Sequence, residues 1–159
     1  MEGQLTVGLL IMKIITHSTE ETKKLATQFA GRLKGGELIA LVGQLGSGKT
    51  TFVRGVVEAL GSTARVKSPT FTLMNIYPTS HKKISRVVHA DFYRTNVTDN
   101  IYDDLGLSEE LTTESVLFIE WPDEAQTKEP SWTILFEHGV HPSERVIILQ
   151  PHGTPHQRS

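Results

Sequence analysis

The octapeptide Gly43-Gln44-Leu45-Gly46-Ser47-Gly48-Lys49-Thr50 constrains this chain more than any other stretch. It fits G-x-x-x-x-G-K-[ST], the phosphate-binding P-loop. The glycines at 43, 46 and 48 are expected to turn the backbone tightly and to allow positive φ, so that successive N–H groups line one concavity. The helix that follows would bring its positive dipole end to the same point. Lys49 supplies a full charge for β- and γ-phosphates, and the Thr50 hydroxyl is suited to Mg²⁺. The context agrees with the motif. Upstream, Glu37 to Val42 is a short apolar run that reads as a buried strand. Downstream, Phe52, Val53, Val56, Val57 and Leu60 recur at helical spacing, and Gly61 is a stop signal.

A strand–loop–helix unit of this kind belongs in an α/β domain. The 159 residues suit one domain, and 38% hydrophobic against 21% charged residues gives it the means to build a core. A net charge of −2 gives no global pull toward nucleic acid or anionic membranes. With no cysteine, disulfides and thiolate chemistry are excluded, which suits a cytoplasmic protein. Leu9-Leu10-Ile11-Met12 is apolar but far too short to span a bilayer, and it lacks the basic segment that leads a signal peptide. Leu9 to Ile15 is expected to contain the first strand, with residues 1–11 as an N-terminal extension and Met12 as an alternative start.

Ser18-Thr19-Glu20-Glu21 reads as a capping box opening a helix to about Leu33, with Leu25, Ala26, Phe29, Ala30 and Leu33 as its buried stripe. After the P-loop helix, Arg65 to Phe71 reads as a loop around Pro69. It reads equally as a surface connection or as a switch over the γ-phosphate. Phe71 to Tyr77 and Ile84 to Phe92 are expected to form a hairpin turning at Pro78-Thr79-Ser80. Asp99 to Leu107 reads as a short polar helix that Gly106 closes. Ser115 to Ile119 is the strongest buried strand of the second half. Trp132 to Glu137 and Arg145 to Leu149 read as two antiparallel strands, and a frayed tail is expected from Gln150. The spacing of His138, His141, His152 and His156 does not make a metal site, because Pro155 breaks the helix that an i, i+4 pair would need.

Two acids end apolar strands, Asp91 and Glu120. In a P-loop site one carboxylate organises Mg²⁺ and another orients or deprotonates the attacking water. The residues alone fit either assignment. Arg94, three residues past Asp91, would pair with that acid or reach a phosphate.

The set G-Q-L-G-S-G-K-T-T-F at 43–52, V-x-S-P-T-F at 66–71, H-x-D-x-Y-R at 89–94 and I-E-W-P at 119–122 resembles the TsaE (YjeE) family, the bacterial ATPases of tRNA threonylcarbamoyladenosine synthesis. The likeness runs from about Met12 to Leu149. It implies a single P-loop α/β domain with a mixed, mostly parallel sheet flanked by helices and antiparallel strands in the second half. It implies ATP and Mg²⁺ as cofactors, weak hydrolysis by the protein alone, and action with TsaB and TsaD on tRNAs reading codons that begin with A. By motif, residues 43–51 (Gly43, Gln44, Leu45, Gly46, Ser47, Gly48, Lys49, Thr50 and Thr51) would hold the nucleotide beside Trp121. Thr70 would belong to the switch-like loop. Thr50 and Glu120 would serve the metal, and Asp91, Lys49 and Glu120 the chemistry. Gln44 departs from the Asp common in the family, at a position without phosphate chemistry. Three rival readings stand beside this one: a small-molecule P-loop kinase, against which the missing lid and substrate domain argue; a noncatalytic nucleotide switch; and direct tRNA binding through Lys82, Lys83 and Arg86.

Overall fold

In a computed structural model, which describes residues 10–69, 73–92, 101–120 and 129–153, the chain builds one seven-stranded sheet. The elements are β1 (Met12–Thr16), α1 (Thr19–Ala30), β2 (Leu38–Gly43), α2 (Lys49–Ala59), β3 (Met74–Pro78), β4 (Arg86–Asp91), α3 (Ile101–Asp104), α4 (Leu107–Glu110), β5 (Ser115–Glu120), β6 (Trp132–His138) and β7 (Arg145–Pro151). Their spatial order is β1-β7-β6-β2-β5-β4-β3. The sheet is mixed, as the resemblance implies. The central strands β6, β2, β5 and β4 run parallel, and β1–β7, β6–β7 and β3–β4 pair antiparallel.

The period of two along each strand sorts side chains onto the two faces. On one face Ile39, Leu41, Val87, Val116, Phe118, Ile134 and Phe136 pack against α1 and α2. On the other, Leu38, Val88, Ala90, Leu117 and Ile119 pack against Leu105, Leu107 and Leu111 of the α3–α4 segment. β5 is buried at all six positions because both its faces are covered. The expected polar helix at 99–107 is divided, because Gly106 takes φ 72° and its N–H closes on Asp103 O. α1 begins with half of the predicted capping box: Ser18 Oγ accepts from the Glu21 N–H at 3.1 Å, but Glu21 Oε2 reaches past the cap to accept from the His17 N–H at 2.6 Å. β7 continues through Gln150 and Pro151, into the stretch expected to fray. The His152 ring and N–H extend the anchoring, to Thr133 Oγ1 at 2.8 Å and Ser131 O at 2.8 Å.

α1 lies directly on α2 at Gly55. A β-carbon there would sit 2.7 Å from Ala26 Cβ and 3.1 Å from Lys23 O. Alanine would gain about 1 kcal/mol of helix propensity, but overpacking a fixed contact costs about 1–3 kcal/mol. Gly55→Ala should therefore destabilise the protein by roughly 1–2 kcal/mol. Urea unfolding of both proteins checks this, and a variant as stable as the wild type would mean that the two helices can move apart at no cost.

Candidate nucleotide site

The parallel strands all end on one edge of the sheet, and there β2 passes into residues 43–48 and then α2. Gly46 (φ 74°) and Gly48 (φ 107°) hold the left-handed conformations that only glycine adopts freely. Gly43 has a different reason: a β-carbon would lie 2.6 Å from Phe136 O on β6, which is backbone and cannot yield. The two helix starts differ. α1 is closed by its own Ser18 and Glu21, whereas Gly48 gives α2 no side-chain cap. The first N–H groups of α2 are thus left for an anion, with the helix dipole behind them.

Beside that helix start is an open cleft of about 270 Å³. Leu45, Gly46, Gly48, Lys49, Thr50 and Thr51 line it together with Asp91, Glu120 and Ser68. Ser18, Thr19, Thr22, Ser143 and Arg145 complete the lining. The structure therefore brings the predicted loop residues and both predicted acids to one place. Gln44 is exposed and borders a separate shallow hollow with Val42 and Leu135, and its carbonyl accepts from the Ser47 N–H at 3.1 Å. Ser47 is buried under the loop. Thr70, Arg94 and Trp121 lie outside the described residues.

Asp91 and Glu120 are register partners at the ends of neighbouring parallel strands. Odd-even alternation puts both on the α2 side of the sheet, with Val87 and Phe118 beneath them. The Lys49 ammonium, itself buried, donates to the Gly43 carbonyl. Burial lowers the Lys49 pKa, and the nearby charges of Glu120 and Asp91 partly restore it. Burial pushes the Glu120 carboxyl up, but His89, Lys49 and a hydrogen bond with Asp91 outweigh it and hold the carboxyl below its ordinary range. Arg145 ties the start of β7 to the glycine loop, donating to Gly46 O at 3.2 Å as well as to Pro142 O and Glu144 O. The loop leading to Ser68 is anchored twice: Arg54 donates to Val66 O at 3.2 Å, and Tyr77 Oη bonds the Lys67 N–H and carbonyl.

Arg145 was not found from the sequence because a lone arginine at a strand start carries no motif. Thr19 and Thr22 read only as helix-start residues. His89 stood inside a recognised motif, yet nothing in its spacing indicated its contact.

Hard oxygen donors meet here: the Thr50 hydroxyl and the two carboxylates, with Glu120 Oε1 buried and without a hydrogen-bond partner. That set fits Mg²⁺ better than a softer metal. Among the described residues no three His, Asp or Glu side chains are arranged to hold an ion by themselves, so phosphate and water would complete its shell.

A parallel-stranded α/β sheet with an uncapped, glycine-led helix start facing two strand-end acids defines a P-loop nucleotide-binding protein. The sequence model described as threonylcarbamoyl adenosine biosynthesis protein TsaE matches residues 16–147, and the chain belongs to that family. The tRNA threonylcarbamoyladenosine biosynthesis protein TsaE of Aquifex aeolicus is 42% identical over 116 residues, 72% of this chain and 79% of the relative. The protein of the same description from Rickettsia bellii is 40% identical over 116 residues, 72% of this chain and 77% of the relative. The crystal structure of Bacillus subtilis YdiB superposes with a TM-score of 0.72 at 31% identity, covering 91% of this chain and 88% of that one.

The Glu120 carboxyl carries a pH signature. Its native pKa lies below the unfolded value of 4.5, so its stabilising contribution is complete above that pH and is lost as pH falls through the lower native value. The stability advantage of wild type over Glu120→Gln should shrink as pH drops below 4.5. Chemical denaturation of both proteins at neutral and acidic pH measures it, and parallel acid limbs would mean that Glu120 is not held ionised by its neighbours.

Proposed function

We propose that this protein is the Mg²⁺-dependent ATPase of bacterial tRNA threonylcarbamoyladenosine synthesis, weak alone and activated by partners. The observation that carries the reading is the convergence of the P-loop, Asp91 and Glu120 on one cleft. Residues 43–51 hold the nucleotide, with Lys49 on the phosphates and Trp121 beside it. Thr50 and Glu120 serve the ion, which would supply charge neutralisation on the phosphates. Asp91 orients or deprotonates the attacking water. Lys49 leaves the Gly43 carbonyl for phosphate oxygens, exchanging a neutral acceptor for a charged one.

The relatives' names support the pathway. The reading makes TsaB and TsaD the partners, tRNAs for codons beginning with A the substrate reached through them, and the cytoplasm the place of work. It takes the chain as one ATPase domain with residues 1–11 and the C-terminal tail as appendages. The described part contains no helix long and apolar enough to cross a membrane.

Hydrolysis of ATP by the purified protein, alone and with a TsaB–TsaD complex from the same organism, tests the proposal. Strong stimulation is expected. No stimulation, with turnover appearing instead on addition of a small hydroxyl or amine acceptor, would favour a kinase.

Two substitution results should accompany it. Lys49→Ala should weaken ATP binding by about 10- to 100-fold, the value of one charge-assisted contact of roughly 1.5–3 kcal/mol. Unchanged affinity by calorimetry would sink the P-loop assignment. Asp91→Ala should leave Mg²⁺-dependent binding intact and slow turnover by about 100-fold or more, whereas Glu120→Ala should weaken the binding itself. The reverse pattern would exchange their roles.

A further inference from the structure

One buried polar side chain at the site has no part in the mechanism so far. His89 sits on β4 two residues before Asp91, facing the same way, and is 0% exposed. Its neighbours on that face include Val87 and Phe118, so a leucine would suit the packing at least as well. Neither ring nitrogen has a hydrogen-bond partner among the described residues, and neither does Glu120 Oε1. An imidazole buried in this way is a costly occupant unless some state of the protein gives it a partner.

That partner is already adjacent. His89 Nε2 lies 3.6 Å from Glu120 Oε2, with Glu120 itself 3% exposed. An N–H···O hydrogen bond needs about 2.9 Å, so the two groups must close by roughly 0.7 Å. A small rotation of the glutamate end is enough. The main chains cannot drift, because His89 pairs with Phe118 and Asp91 with Glu120 in the β4–β5 ladder.

We propose that His89 is the positioning residue for Glu120. With nucleotide and a divalent ion in the cleft, its Nε2–H donates to Glu120 Oε2 and fixes the carboxylate so that Oε1 is turned to the ion. This rests on the assignment of Glu120 to the ion. The imidazole touches neither nucleotide nor ion. It acts as the outer-shell donors of metal-binding carboxylates do, restricting a flexible ligand to one orientation.

The test compares wild type, His89→Leu, His89→Gln and Glu120→Gln, each saturated with a nonhydrolysable ATP analogue. Mn²⁺ affinity is read by electron paramagnetic resonance, without turnover. His89→Leu should weaken Mn²⁺ by about tenfold or more, while its affinity for the analogue without metal stays unchanged. His89→Gln carries an amide N–H near the position of Nε2 and should stay within roughly threefold of wild type. Wild-type Mn²⁺ affinity in folded His89→Leu would overturn the proposal. So would equal losses in the Leu and Gln variants, which would reduce His89 to packing. Unchanged Mn²⁺ affinity in Glu120→Gln would instead overturn the metal role of Glu120, and this inference with it. If His89→Leu does not fold, ¹⁵N spectra of the wild-type histidines decide, with His89→Gln giving the assignment. A protonated Nε2 with slow proton exchange is expected in the Mg²⁺–analogue complex, and a bare Nε2 there would overturn the proposal.

Discussion

A buried ammonium beside two buried carboxylates is the interaction on which this site depends. Lys49, Asp91 and Glu120 are each 5% exposed or less. Removing any one from water alone would cost several kcal/mol, so each is tolerable only with the others in place. A nucleoside triphosphate entering unaccompanied would meet two carboxylates with only Lys49 and the helix start to offset its own charge. A divalent ion arriving with it offsets two of those negative charges. The pairing of acids and loop therefore suits nucleotide and ion together better than nucleotide alone, in keeping with the proposed metal dependence.

The loop must also be held rigidly enough for that balance to matter. An aromatic run beneath it does so. Phe29 and Phe52 have ring centroids 5.5 Å apart, Phe52 and Phe136 5.6 Å, and Phe29 and Trp132 5.0 Å. This joins α1, α2 and β6 into one packed unit, and the two edge-to-face pairs, Phe29–Trp132 and Phe52–Phe136, contribute beyond their buried area. Phe136 does double duty, since its carbonyl is also the atom that admits only glycine at 43. The first loop residue is thus positioned by β6 and the last by α2, and the turn between them has little freedom to open.

Much of this was legible in the residues. The P-loop strand and helix, the capping box, the β3–β4 hairpin and the antiparallel β6–β7 pair each have a local cause, in periodicity, turn chemistry or side-chain capping. Both acids were legible because a carboxylate after an apolar strand has few places to go. What escaped depends on register between distant segments. That β7 carries Arg145 to the carbonyl of Gly46, 99 positions away, follows from β7 lying next to β6 and β6 next to β2. Strand order of that kind leaves no trace in spacing. The reason for Gly43 was misread in the same way: positive φ was expected, and a cross-strand contact is the cause.

The two acids look equivalent in the sequence, yet the fold treats them differently. Glu120 closes a strand buried on both faces, with His89 Nε2 3.6 Å from its Oε2. Asp91 is tied to a loop. Its N–H donates to Leu73 O at 2.9 Å, and the Leu73 N–H donates to Pro69 O at 2.8 Å. Leu73 is the one non-glycine residue with positive φ among those described, at 63°. A leucine in that conformation is strained by about 1 kcal/mol or more and persists only while its neighbours enforce it. Pro69 and Leu73 are thus linked by hydrogen bonds to the backbone of Asp91. A carboxylate at the end of a covered strand suits a constant ion, and one coupled to a loop suits a step that must wait for the loop to be set. This asymmetry favours the proposed assignment of the water-directing role to Asp91 and of the ion to Glu120.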